Sequence, residues 1–323
     1  MSGLKYDMVT ILGPTASGKT EVAANLAYLL EGEVISADSR QIYRKMDLGT
    51  GKDLDEYLIN GTHIPYHLID IAEAGYQYNV FEYQRDFLKV YQTLKEKDSF
   101  PVMCGGSGMY LEAILKGYRL IQVPIDEERR AELQLMPLDS LKKILSNYKP
   151  IHNTSDIENT KRAIRAIEIE EFCLSHPETD LSFPKINSLI VGIRIERDTR
   201  RRRITARLHQ RLNNGMIDEV HKLLDSGIEP DDLTYYGLEY KYITNYILGH
   251  LTYNQLVTDL NTAIHQFAKR QMTWFRKMER DGFKIRWVDG EQPTGEKCAL
   301  ILSWLKKSGG SKTTAEQNLL NKC

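Results

Sequence analysis

The chain has 323 residues, 27% of them charged and 41% apolar, the balance of an ordinary globular protein with room for one large domain or about two. No apolar run approaches the roughly 18 residues of a membrane span, and the N-terminus runs straight into a strand-like segment, so neither a membrane protein nor a signal peptide is expected. The net charge of −1 gives no overall sign of a nucleic-acid partner, although a locally positive face is compatible with it.

In chain order, residues 8–12 read as a buried strand that runs directly into a glycine loop. Residues 20–30 read as a helix, with Val22, Leu26, Leu29 and Leu30 on one face. A second strand spans 33–37 and ends at Asp38. A helix is expected over 81–96, and a third strand over 101–104 enters a second glycine turn, Gly105-Gly106-Ser107-Gly108. Strands alternating with helices predict an α/β fold, a parallel sheet covered by helices on both faces. Residues 126–136, 138–148 and 156–174 are helical in pattern, punctuated by Pro124, Pro137, Pro150 and Pro177.

Strand character returns at 189–195. Helices follow over 199–213 and 217–226, with Gly227 as a C-cap. A long helix starts at Thr252 and Gln255, which fit a capping box, and stops at Asp281-Gly282. Residues 284–288 read as a last strand. The expected organisation is a discontinuous core of residues 1–120 and 187–305, a mostly helical insertion over 121–186, and a disordered polar tail over 306–323. Cys104, Cys173, Cys298 and Cys323 are scattered without a Cys-x-x-Cys pair, which supports neither a zinc site nor a disulfide framework and makes a reducing cytoplasm the simplest compartment.

The segment Gly13-Pro14-Thr15-Ala16-Ser17-Gly18-Lys19-Thr20 satisfies G-x-x-x-x-G-K-[ST] in full, between a strand and a helix. Its glycines let backbone N–H groups point at phosphate oxygens, the helix N-terminus adds partial positive charge, Lys19 adds a full charge, and the Thr20 hydroxyl can reach Mg²⁺. Asp38 ends a strand at the edge where open α/β sheets bind ligands. It can hold Mg²⁺, act as a general base, or simply cap the turn Asp38-Ser39-Arg40. Ser107 ends another strand and offers a hydroxyl.

Residues 194–211 carry eight arginines against only Glu196 and Asp198, and Arg203, Arg207 and Arg211 recur every fourth residue on one helix face. On the long helix, Leu260, Ile264, Phe267, Gln271, Phe275 and Met278 form a mostly apolar stripe. Lys269, Thr273, Arg276, Lys277 and Arg280 line another face beside Trp274, which suits RNA phosphates and exposed bases. Lys161, Arg162 and Arg165 form a third basic group, where Glu158 offers Arg162 an intrahelical partner.

Taken together these residues resemble the tRNA dimethylallyltransferase family, with the bacterial branch the closer match. Beyond the phosphate loop, the resemblance rests on Ile35-Ser36-Ala37-Asp38-Ser39-Arg40-Gln41-Ile42-Tyr43, Met46-Asp47-Leu48-Gly49-Thr50-Gly51-Lys52, His67-Leu68-Ile69-Asp70 and Gly105-Gly106-Ser107-Gly108-Met109-Tyr110-Leu111. Further along it rests on residues 162–168, Arg203-Ile204 with Arg207, residues 215–220 and residues 268–276. The family often has Gly-Tyr-Lys/Arg-Glu/Gln near residue 237, where this chain has Gly237-Leu238-Glu239-Tyr240-Lys241.

The resemblance implies a P-loop NTPase-like fold and transfer of a dimethylallyl group from dimethylallyl diphosphate to N6 of adenine 37, next to the anticodon of tRNAs that read codons starting with U. It implies that Gly13, Thr15, Ala16, Ser17, Gly18, Lys19 and Thr20 hold the diphosphate, with Thr20 on Mg²⁺. Asp38, Ser107 and Arg203 match catalytic positions, with Ser107 standing where relatives usually have Thr. Asp38, Ser39, Arg40 and Gln41 match a loop that contacts tRNA, as do Lys161, Arg162 and Arg165, and Lys269, Arg270, Gln271, Thr273, Trp274 and Arg276. The implied partners are the tRNA anticodon stem-loop and the prenyl donor, with a cytoplasmic monomer expected. Rival readings are prenylation of a free adenine nucleotide, a small-molecule kinase, and a non-enzymatic RNA-binding nucleotide switch.

Overall fold

The computed structural model describes residues 4–118, 120–151, 157–176 and 183–306. Apart from Lys306, the tail expected over 306–323 lies outside the described residues, as does the expected helix start at Asp156. Two compact units emerge, one within 1–117 and 185–323, the other within 118–184.

In the first unit, β1 (Met8–Leu12), β2 (Gly32–Ser36), β5 (Tyr66–His67), β6 (Phe100–Gly105), β7 (Ser188–Arg194) and β8 (Arg286–Asp289) form one six-stranded sheet in the order β5-β2-β6-β1-β7-β8. All its pairings are parallel. The strands are apolar on both sides because both sides are covered. Val9, Ile11, Val102, Val191 and Val288 pack in one cluster with α1 (Lys19–Leu30) and α12 (Thr294–Leu305). Strand residues of the opposite parity face the other way, where Tyr83 of α2 (Val80–Glu96) reaches Met103. A short hairpin, β3 (Leu58–Ile59) with β4 (Thr62–His63), lies outside the main sheet.

The remaining helices are α3 (Gly108–Leu115), α7 (Arg197–Asn213), α8 (Met216–Asp225), α9 (Pro230–Tyr235), α10 (Leu238–Ile247) and the 28-residue α11 (Tyr253–Arg280). The capping box expected at Thr252 and Gln255 is present. Four of the unit's helices, α3, α9, α10 and α12, are not anticipated from the sequence. None of the four starts with a side-chain cap, so the usual polar signal of a helix start is missing.

The second unit holds α4 (Glu127–Gln134), α5 (Leu138–Tyr148) and α6 (Thr160–Ser175) around Leu133, Leu141, Leu145, Ile164 and Ile167. Burial pushes the Glu168 carboxyl up, but hydrogen bonds from Arg130 and Arg165 outweigh this and hold it below the usual carboxylate range. Arg165 gives one guanidinium nitrogen to Glu168 (2.8 Å) and the other to the Val123 carbonyl (2.9 Å). Arg162 pairs with Glu158 one turn earlier, and Lys161 is exposed. Of the three basic residues assigned to tRNA on this unit, two are therefore engaged within it.

Candidate active site

A cavity of about 640 Å³ opens at the carboxyl edge of the sheet, where the loops after β1, β2 and β6 meet α7, α10 and α11. This is where an open α/β sheet leaves a crevice between diverging connections. The β1 loop carries two left-handed residues, Ala16 (φ 60°) and Gly18 (φ 77°). Alternating handedness of this kind folds backbone N–H groups into a concave cradle for an anion. Gly13 lets the loop close on itself, since a Cβ there would meet the Ser17 Oγ at 2.6 Å. Lys19 and Thr20 open α1 and line the cavity.

The Gln271 side chain of α11 fixes the loop from the far side. Its Oε1 accepts the Thr15 N–H (2.8 Å) and its Nε2 donates to the Gly106 carbonyl (3.0 Å). One buried amide thus joins the first glycine loop to the second. Gln271→Leu is expected to leave both backbone groups buried and unpaired, at a cost of roughly 2–4 kcal/mol in folding stability. A urea titration tests this: the midpoint should fall with the slope unchanged, and an unaltered midpoint would refute the role.

After β2, Asp38 and Arg40 line the cavity. The Asp38 Oδ1 accepts the Arg40 N–H (3.0 Å), so the turn-capping reading of Asp38 holds for that oxygen. Oδ2 takes no protein donor among the described residues. Ser107 accepts the Ser39 N–H (2.9 Å) and donates to the Ser39 hydroxyl (3.2 Å). Its hydroxyl therefore ties the β6 turn to the β2 turn as well as lining the cavity. Gln41 donates to the Gly51 carbonyl (3.0 Å) rather than facing outward.

The opposing wall is cationic. Arg207 and Arg211 line the cavity, whereas Arg203 is exposed and does not. Each step of four residues turns about 40° around a helix and rises ~6 Å, so Arg203 is carried off the face that Arg207 and Arg211 present. The resemblance names Arg203, whereas the two arginines that line this cavity are Arg207 and Arg211. Burial, then the charge of Arg211, lower the Arg207 pKa, and its Nε is buried without a partner among the described residues. Ser17 Oγ, within the phosphate loop, is a second such orphan. Both atoms are buried, one within the phosphate loop and one on a cavity-lining arginine, and such unpaired groups are uncommon in a folded chain.

Three carboxylates here escaped the sequence reading. Asp53 meets Arg211 Nη2 through both oxygens (3.0 and 2.9 Å) and Arg207 Nη2 at 3.2 Å. Burial raises its pKa, but the two guanidinium charges prevail and keep it below the usual value. Burial, then the charge of Asp53, push Glu56 up. Burial also raises Glu239, which belongs to the segment that departs from the family pattern. Tyr240 in that segment is buried, presses on Gly49, and donates to Glu219 at 2.6 Å. Glu219 in turn accepts the N–H groups of Asp47, Leu48 and Gly49 at 2.8, 2.7 and 3.0 Å. Both sides of this network lie in segments that carry the resemblance, Met46–Lys52 and residues 215–220, but nothing in either segment says that the two meet.

At the cavity mouth, the Arg40 guanidinium sits 5.7 Å over the Tyr235 ring and donates to the Tyr235 carbonyl (2.6 Å). Arg270 and Trp274 of α11 also line the cavity, and Lys269, Arg270, Thr273 and Arg276 are exposed on the same helix. Among the described residues no helix is long and apolar enough to cross a membrane, and no cluster of three or more His, Cys, Asp or Glu could hold a metal.

The sequence pattern of a family described as IPP transferase matches residues 41–278. A Bacteroides fragilis protein named tRNA dimethylallyltransferase 2 is 61% identical over 302 residues, which cover 94% of this chain and 99% of that one. The crystal structure of a full-length tRNA isopentenylpyrophosphate transferase from Bacillus halodurans has 32% identity and a TM-score of 0.68, covering 93% of this chain and 97% of its own. A eukaryotic dimethylallyltransferase solved acting on tRNA superposes with a TM-score of 0.77 over 98% of this chain and 84% of its own; at 18% identity that is a likeness of fold. Matched across most of its length by the family pattern and at high identity by a bacterial relative, this chain belongs to the IPP transferase family, the tRNA dimethylallyltransferases.

Proposed function

We propose that the cavity binds dimethylallyl diphosphate and admits adenine 37 of tRNA, and that the chain transfers the dimethylallyl group to the adenine N6. One observation carries this reading: the anion cradle of the phosphate loop and the carboxylate of Asp38 face one cavity whose other wall presents Arg207 and Arg211. The diphosphate is then the leaving group. Lys19, the loop amides and the two arginines neutralise its charge as the allylic C–O bond breaks, which favours departure because the allylic cation is resonance-stabilised. The exocyclic amine is a weak nucleophile, and the free Oδ2 of Asp38 is placed to take its proton. The base must leave its stack to enter the cavity.

Thr20 fits the metal role in this reading. Its hydroxyl is a hard oxygen donor on the cavity wall, and its neighbour, the Cys104 thiol, is pushed up to about 12 by burial and so stays protonated and does not compete for a hard cation. A Mg²⁺ ion held there with phosphate oxygens would add to the neutralisation of the leaving group. Arg40 and Arg270 at the rim, with Lys269 and Arg276 beyond it, give the tRNA backbone a cationic surface, and Trp274 and Thr273 lie among them as an aromatic face and a hydroxyl.

The test is mass spectrometry of nucleosides from unmodified tRNA incubated with the protein, Mg²⁺ and dimethylallyl diphosphate. N6-(dimethylallyl)adenosine is the expected product. Label appearing on free adenine nucleotides and not on tRNA, or phosphoryl transfer from ATP, would refute the reading.

A further inference from the structure

The contact between Asp53 and the two cavity arginines is not required by the chemistry just described. Both guanidinium groups turn Nη2 towards the Asp53 carboxylate, and Arg211 does so through both of its oxygens. Carboxylate and phosphate offer a guanidinium the same forked acceptor geometry. On another side the arginines are closed off by Gly51, where a Cβ would collide with both. Asp53 therefore already occupies the Nη2 of both arginines on the wall of the cavity where an anion would sit.

Resting on the diphosphate reading above, we propose that Asp53 is a positioning residue that holds Arg207 and Arg211 towards the cavity and competes with the diphosphate for them. Its side chain is 40% exposed and so has room to swing aside. Burial above all, and then the charge of Asp53, holds the neighbouring Glu56 carboxyl above its usual value, so this corner is poorly solvated and already carries negative charge. Competition of this kind weakens binding of the donor and hastens loss of the diphosphate product, because the carboxylate recaptures the arginines as the product leaves.

Asp53→Asn keeps the shape of the side chain and removes its charge. Inorganic diphosphate with Mg²⁺ should bind this variant about twofold to fivefold more tightly than wild type by calorimetry, the range expected of a partly exposed carboxylate–guanidinium contact. Product inhibition by diphosphate should strengthen by the same factor and the donor KM should fall, without a rise in kcat. A purely structural role would not tighten binding. Equal or weaker diphosphate binding overturns the proposal, and weaker binding that extra Mg²⁺ restores would assign Asp53 to the metal instead. Lys19→Ala, measured in parallel, separates the two levels. If Lys19→Ala loses diphosphate while Asp53→Asn gains none, only this proposal fails. If wild type binds no diphosphate, or Lys19→Ala binds it as well as wild type, the diphosphate reading fails with it.

Discussion

Asp38→Asn is expected to lower kcat for prenyl transfer by about 10²- to 10⁴-fold, the usual contribution of a positioned general base. Asparagine is the informative substitution. Its Oδ1 still accepts the Arg40 N–H, so the turn after β2 keeps its shape, while the amide in place of Oδ2 cannot take a proton. Asp38→Ala removes the turn contact as well and should show the same loss in kcat with some loss of stability. In both variants diphosphate binding should persist, because the phosphate loop is held by Gln271 and not by Asp38. Binding of an anticodon stem-loop to the asparagine variant should stay within about threefold of wild type, since no backbone phosphate contact is lost. Single-turnover transfer from pre-bound donor isolates the chemical step. A loss confined to tRNA affinity, with transfer from the bound complex unchanged, would rule out Asp38 as the base.

The second large effect separates two arginines one turn apart. Arg207→Ala should reduce kcat/KM for the donor by about 10²- to 10³-fold, the scale for removing one preorganised donor from a developing negative charge. Arg203→Ala should change it by less than about threefold, because an exposed side chain away from the cavity has little to lose. The two variants have similar helix propensity costs, so a difference between them reports on position and not on α7 itself. Steady-state kinetics on both, with circular dichroism to confirm the helix content, decides the matter. A larger effect at Arg203 would return the diphosphate contact to that residue.

The contrast between these two arginines shows where sequence reading reaches its limit. The phosphate loop was legible because its glycines, lysine and threonine are contiguous and their context of strand and helix is local. Asp38 was legible because it ends an apolar strand, although its turn-capping oxygen and its free oxygen could not be told apart. Arg203, Arg207 and Arg211 share a four-residue spacing, and spacing alone cannot say which end of the row meets the cavity. Gln271 reads as part of an apolar stripe, and it is indeed buried, but its amide serves Thr15, 256 positions away in the chain. Asp53 meets Arg211 across 158 positions, and Glu219 meets the Asp47–Gly49 backbone across about 170. Such contacts exist only once the sheet has brought the loops to one edge, so no local pattern announces them.

The Glu219 contacts also bear on time. The protein encloses two bowls of backbone amides at this edge, one shaped for a visitor and the other filled permanently by its own glutamate. The permanent one anchors the start of the segment leading to Asp53. Lys52, buried against Asp47, Asp70 and the Tyr43 carbonyl, and Gln41 on the Gly51 carbonyl fasten the rest. The segment leading to Asp53 is therefore held at Asp47, Leu48, Gly49, Gly51 and Lys52, which leaves the Asp53 side chain as the part free to swing. Side-chain rotation takes picoseconds to nanoseconds, whereas loop opening runs to microseconds. If Asp53 trades places with an anion on the arginines, its own movement is accordingly a rotamer event, too fast to set the pace of turnover in an enzyme working at ~10 cycles per second.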